Sequence, residues 1–207
     1  MDLKDKKIGV VEDLMAEPVT QEVAVKKNSV GKEIFSWVIL AATAVAIAFF
    51  INTVIIVNAS VPTGSMHPTI EEGTRLIAFR LSYLFSEPER FDVIVFNSPD
   101  NTGVRYIKRI VGLPGETIDI VNGNVFINGD TVPLDEWYLT DSLWGLSLTT
   151  QSFSIPYGYF FVMGDNRNNS RDSRGLGGDP WNNLFIPEGN IMGRALFSYF
   201  PRIGGIR

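Results

Sequence analysis

The sequence predicts an all-β protein: an antiparallel β-sheet domain with a small β insertion, preceded by one amino-terminal transmembrane helix. Three observations predict it. Phe35 to Val57 is a run of 23 residues without a charged side chain. Beyond Ser60, short runs of alternating apolar and polar residues are separated by Gly, Pro and Asn-Gly turns, the period-2 signature of strands. No segment after the apolar run carries a sustained 3.6-residue stripe, so no amphipathic helix competes with the sheet.

Residues 1–33 hold six Lys against seven acids and few large apolar groups, the composition of a solvated tail. The span expected over residues 34–57 would be roughly 34 Å long at about 1.5 Å per residue, enough for a bilayer core. Lys26, Lys27 and Lys32 precede it and no cation follows until Arg75, which predicts a cell-membrane protein with a cytoplasmic tail and residues 58–207 outside. Val57-Asn58-Ala59 offers the small residue that precedes a signal-peptide cut, but the tail is too long and the apolar run exceeds the usual length. A permanent anchor is expected.

In the outer region, Arg90 to Phe96 reads as a strand with Phe91, Val93 and Val95 on one face and Asp92, Ile94 and Phe96 on the other. Val104 to Val111 reads as the next. Asn122-Gly123 and Asn128-Gly129 bracket Asn124-Val-Phe-Ile as two tight hairpin turns would. Residues 116–157 look like an insertion that ends in an aromatic, loop-rich stretch around Trp137, Tyr138 and Trp144. The chain returns through a strand at Tyr159–Met163. Gly164 to Gly178 follows, with eleven of fifteen residues Asp, Asn, Ser or Gly, so any order must come from side-chain to backbone hydrogen bonds. Composition favours mobile surface for this loop. Ile191 to Phe200 is expected to close the sheet.

Composition excludes several functions. A net charge of -5 argues against nucleic acid, whose phosphates need an excess of Lys and Arg. The absence of cysteine removes disulfides, thiolate nucleophiles and Cys-based metal sites. One His and scattered carboxylates give no metal-ligand spacing, and no cofactor is expected.

A nucleophile is nevertheless suggested just beyond the span, in Val61-Pro-Thr-Gly-Ser-Met-His-Pro-Thr-Ile70. Pro62 and Pro68 stiffen the path, and Gly64 lets another backbone approach Ser65. Past residue 58 there are eleven Arg but only one Lys and one His. Arg stays protonated and cannot take a proton, which leaves Lys108, His67 or a carboxylate as the base. Lys108 shares a strand face with Val104, Tyr106 and Ile110, and desolvation there would lower its pKa and make it a competent base. His67 lies only two residues from Ser65, and its ring would have to fold back.

Pro62-Thr-Gly-Ser-Met-His-Pro-Thr69, Arg90-Phe-Asp-Val-Ile-Val-Phe96, Tyr106-Ile-Lys-Arg-Ile-Val-Gly-Leu-Pro-Gly115 and Gly164-Asp-Asn-Arg-Asn-Asn-Ser-Arg-Asp-Ser-Arg174 resemble, in order, the four sequence boxes of bacterial type I signal peptidases. A single amino-terminal span is similar to the short form of Gram-positive bacteria. The resemblance implies a membrane-bound serine endopeptidase that removes signal peptides from exported preproteins after small residues (Ala-X-Ala). It further implies Ser65 as nucleophile, Lys108 as general base, and the Thr63 hydroxyl with the Ser65 NH as oxyanion hole. By the same resemblance, Ser170 orients the Lys108 amine and Asp172 and Arg174 brace the polar loop. Pro62, Met66, Ile70, Tyr106 and Ile107 line pockets for the substrate, bound as an added strand. Phe91 and Asn168 depart from the family's usual Gly and Asp. The implied partners are preprotein signal peptides, the lipid bilayer and the secretion machinery. A membrane-tethered domain that binds peptides without cutting is the alternative from another class. A self-cleaving Ser-Lys regulator is the enzymatic alternative, and a cut after Ala59 by the enzyme itself would release its anchor.

Overall fold

The computed structural model describes residues 30–99, 103–139, 150–175 and 185–207. The chain divides into two compact units, residues 1–44 and 45–207. Helix α1 runs Val30–Phe50 and continues through a π-helical turn, Ile51–Ile55. By length and composition the whole stretch could cross a membrane, and none of its side chains is buried. The helix begins earlier than the expected residue 34 and ends earlier than residue 57. Ile56 and Val57 belong instead to the first strand, Ile56–Ser60, because they pair with Phe79 and Ala78.

Eleven strands follow among the described residues: β1 Ile56–Ser60, β2 Arg75–Phe79, β3 Val93–Asn97, β4 Arg105–Gly112, β5 Thr117–Val121, β6 Asn124–Ile127, β7 Gln151–Ser154, β8 Tyr159–Met163, β9 Ile186–Pro187, β10 Ile191–Phe200 and β11 Gly204–Gly205. All pairings are antiparallel. The main sheet has the order β1-β2-β10-β3-β4-β8-β9, with β11 on β10, and the second sheet has the order β6-β5-β7.

Strand β3 is apolar without alternation because both of its faces are covered. Val93 and Val95 join a cluster with Val61, Met66 and Leu76, while Ile94 and Phe96 join Ile110, Phe160 and Ile186. The second sheet packs on the first through Ile118, Val125, Ile155 and Phe161, close to Gly112, where a Cβ would come within 3.0 Å of the Phe161 Cβ. At the β5–β6 hairpin, Asn122 and Gly123 have φ of 49° and 84°, which a two-residue type I′ turn requires. Asn128 and Gly129 also turn left-handed, but the chain beyond them runs beside β6 as a loop rather than as a strand.

Phe91 is not part of a strand. Its φ is +74°, and its carbonyl accepts from the Arg109 guanidinium at 2.8 Å, so the strand expected from Arg90 begins only at Val93. Trp144 and residues 176–178 of the polar loop lie outside the described residues.

Candidate active site

Ser65 sits in a single 3-10 turn, Gly64–Met66, which leads out of β1 through Val61 and Pro62. Lys108 lies at the middle of β4, directly across from Ile94 of β3. The Lys108 amine donates to Ser65 Oγ at 2.7 Å and to the Ile107 carbonyl at 2.9 Å. Both residues are nearly closed off, Ser65 at 8% and Lys108 at 3% exposure. Burial is the main influence on the amine and pushes its pKa down to about 8, against the opposing charges of Asp172 and Asp165 and with help from Arg174. A near-neutral amine within hydrogen-bond reach of a serine hydroxyl can take its proton. His67 is exposed, and Ser65 Oγ finds its partner in Lys108 rather than in the imidazole.

A cleft of about 230 Å³ opens over this pair and is lined by Pro62, Thr63, Met66, Tyr106 and Ile107 beside Ser65 and Lys108. Thr63 Oγ1 reaches Ser65 Oγ at 3.4 Å, which places its hydroxyl next to the point of attack. Ile70 is not in the cleft. It packs with Val57, Val61 and Leu76 in the core and lines a separate hollow with Pro68 and Ile206.

The polar loop is built rather than mobile over its described part, residues 164–175. Its order comes from contacts at long sequence separation. The Asn166 side chain donates to the Gly64 carbonyl and its backbone NH to the Ser65 carbonyl, each at 3.0 Å, so the loop grips the turn that carries the nucleophile. Asp172 receives Arg174 Nε and Nη2, both at 2.8 Å, and the Gly164 NH at 2.9 Å. Burial would raise the Asp172 pKa, but Arg174 and these hydrogen bonds outweigh it and hold the carboxyl below its ordinary value. Asp172 and Arg174 thus occupy the bracing positions expected of them. Ser170 departs from expectation: the Lys108 amine donates to Ser65 and Ile107, and the buried Ser170 hydroxyl makes no hydrogen bond to it. That hydroxyl lies near enough to Asp172 to favour the carboxylate, without the geometry of a good hydrogen bond.

Sequence reasoning missed two buried ion pairs. Arg109, next to the base, forks onto Asp165 at 2.9 and 2.7 Å, and Arg167 forks onto Glu136 while donating to the Gly164 carbonyl at 3.1 Å. An Arg inside an apolar strand is itself the signal, since a buried guanidinium requires a carboxylate.

An open cleft over a serine bonded to a desolvated amine, on an antiparallel sheet, has the chemistry of a serine hydrolase. The family described as signal peptidase, peptidase S26, matches residues 34–200. Among curated relatives, a probable signal peptidase I-1 of Synechocystis is 37% identical over 78% of this chain and 80% of its own length. A signal peptidase I of Bacillus amyloliquefaciens is 36% identical over 88% of this chain and 92% of its own. A solved signal peptidase I of Enterococcus faecalis is 36% identical, covering 53% of this chain and 97% of that one, with a TM-score of 0.43. The chain belongs to the signal peptidase family, peptidase S26, and is a serine endopeptidase.

Proposed function

We propose that the protein is a membrane-anchored signal peptidase that removes signal peptides from exported preproteins by a Ser65–Lys108 dyad, cutting after small residues in an Ala-X-Ala pattern. The observation that carries this reading is the 2.7 Å contact between the Lys108 amine and Ser65 Oγ, with the amine buried and its pKa lowered to about 8. At pH 7 roughly a tenth of such an amine is neutral. That fraction takes the Ser65 proton as Oγ attacks the scissile carbonyl. The negative oxygen of the tetrahedral intermediate is met by the Ser65 NH and the Thr63 hydroxyl, donors fixed in advance of the charge. The ammonium then protonates the leaving amine, the carbon–nitrogen bond breaks, and an acyl ester on Ser65 remains. The neutral amine next deprotonates a water that attacks the ester, and the proton it collected returns to Ser65 Oγ.

The cleft of about 230 Å³ beside Ser65, lined by Pro62, Met66, Tyr106 and Ile107, supports specificity for small side chains. Residues 1–33 serve as a cytoplasmic tail, the apolar helix as the anchor and residues 58–207 as the outer domain, with the bilayer and the secretion machinery as further partners. The cations ahead of the helix support this orientation. Cleavage of a purified preprotein with an Ala-X-Ala site in detergent, by wild type, Ser65→Ala and Lys108→Met, tests the reading. It predicts cutting by wild type alone. Activity surviving Lys108→Met would transfer the base role elsewhere, and binding without cutting by every form would favour a peptide-binding tether.

A further inference from the structure

The aromatic loop after β6 carries Tyr138, a buried side chain whose hydroxyl is bonded to Glu136 and Arg167 rather than to Ser65 or Lys108. Its ring face lies 4.0 Å from the Arg109 guanidinium carbon, and Phe91 and Trp137 meet it edge-on, each at 5.6 Å. Its hydroxyl donates to Glu136 at 2.7 Å and accepts from Arg167 at 3.1 Å. One side chain therefore contacts both guanidinium groups that frame the site. Arg109 follows the base in β4 and holds Asp165. Arg167 holds the carbonyl of Gly164, whose own NH is bonded to Asp172. Two cations share this ring, each neutralised by its own carboxylate, and the aromatic face excludes water between them.

We propose that Tyr138 is a positioning residue of the peptidase reaction, which locks the polar loop to the base-bearing strand by clamping Arg109 with its ring and Arg167 with its hydroxyl. The loop in turn fixes the turn carrying the nucleophile through Asn166, so a loosened clamp moves Ser65 relative to the amine. The charged groups that act on the amine are Asp172, Asp165 and Arg174. With the ring gone, the Arg109–Asp165 pair loses the face that covers it, and Asp165 is one of the charges that act on the amine. The inference rests on the dyad reading, because it acts through Ser65 and Lys108.

The test compares full-length wild type, Tyr138→Phe, Tyr138→Leu and Lys108→Met in detergent, with kcat and KM measured across pH and active sites counted by burst titration. Tyr138→Phe keeps the ring on Arg109 and is expected to lose about threefold in kcat with KM unchanged. Tyr138→Leu is expected to lose about tenfold or more in kcat per active site, in line with the sensitivity of such steps to small displacements. Its acid limb should also shift. A wild-type kcat in Tyr138→Phe overturns the proposal, and so does a Tyr138→Leu enzyme whose limb stays in place or whose loss lies in KM alone. If Tyr138→Leu does not fold, the Tyr138→Phe result decides by itself. Activity persisting in Lys108→Met would mark failure of the dyad reading instead, in the same assay.

Discussion

Asn166 holds Gly64 across 102 positions of chain, its side-chain amide donating to the Gly64 carbonyl at 3.0 Å. The nucleophile turn is therefore fixed from the loop side, and one substitution isolates that grip. Asn166→Ala removes the side-chain bond and leaves the backbone bond to Ser65 in place. Expected is a fall in kcat of about 5- to 10-fold, corresponding to roughly one hydrogen bond, with little change in KM. An unchanged kcat would show that the backbone bond suffices.

Gly164 has no room for a side chain. A Cβ there would lie 2.5 Å from the Ser65 carbonyl oxygen and 2.6 Å from the Ser170 Cβ. Gly164→Ala must push the loop away from the nucleophile turn, and a loss of about 100-fold or more in kcat/KM is expected. Circular dichroism should still report a folded sheet, and near-normal activity would mean the turn yields more easily than its packing indicates.

The amine that makes catalysis available costs stability. Between about pH 8, where folded Lys108 titrates, and its ordinary value of 10.5, the unfolded chain binds the extra proton, so this group's contribution to stability rises with pH through that window. Below pH 8 the full penalty, of order 3 kcal/mol, is present in the native protein. Lys108→Met removes it and gives up two hydrogen bonds, for a net gain of about 1 to 2 kcal/mol at pH 7. The inactive variant should melt several degrees above wild type at pH 7, with the difference fading as pH approaches 10.5. A lower melting temperature at pH 7 would contradict the assigned burial.

The same titration sets the rate. With wild type, kcat/KM should rise about tenfold per pH unit on the acid side and level off near pH 8. A plateau already reached near pH 6 would point to a base other than Lys108.

Phe91 occupies a backbone conformation, φ +74°, that suits glycine. Phe91→Gly relieves about 1 kcal/mol of strain while losing the edge contact with Tyr138, whereas Phe91→Ala loses the contact and keeps the strain. Both should destabilise, with Phe91→Ala the worse by about 1 kcal/mol in urea unfolding. Equal midpoints would indicate that the strain is relaxed elsewhere.

Periodicity located the elements it could describe. Tyr159–Met163 was legible to the residue because it is an uninterrupted apolar run bounded by breakers, and Ile191–Phe200 because Gly189-Asn190 and Pro201 bound it despite the irregularities inside. Phe91 was not, since alternation registers side-chain polarity and is blind to the sign of φ. Ser65 in its stiff segment and Lys108, one Lys among many Arg, stood out as candidates from the residues, and the resemblance of the four motifs is what gave them their roles. The order of the polar loop was not legible, because Asp, Asn and Gly in series describe mobile surface equally well until Gly64 and Arg109 are brought beside them. Ile70 fell on the wrong side because the resemblance that placed it at the pockets carries over a position, not the way a side chain turns after a 3-10 corner. The Glu136–Arg167 pair joins residues 31 apart on two irregular segments, where no local pattern pairs charges.

Strand β10 lies between β2 and β3. The hairpin of β1 and β2 carries the nucleophile turn between its strands, and the hairpin of β3 and β4 carries the amine. The two hairpins do not pair with each other in the sheet, and residues 191–200 lie between them, bonded to both. The two reactive groups therefore meet on either side of a strand that supplies neither of them, and the seat that residues 191–200 give to both hairpins helps to set the spacing of serine and amine.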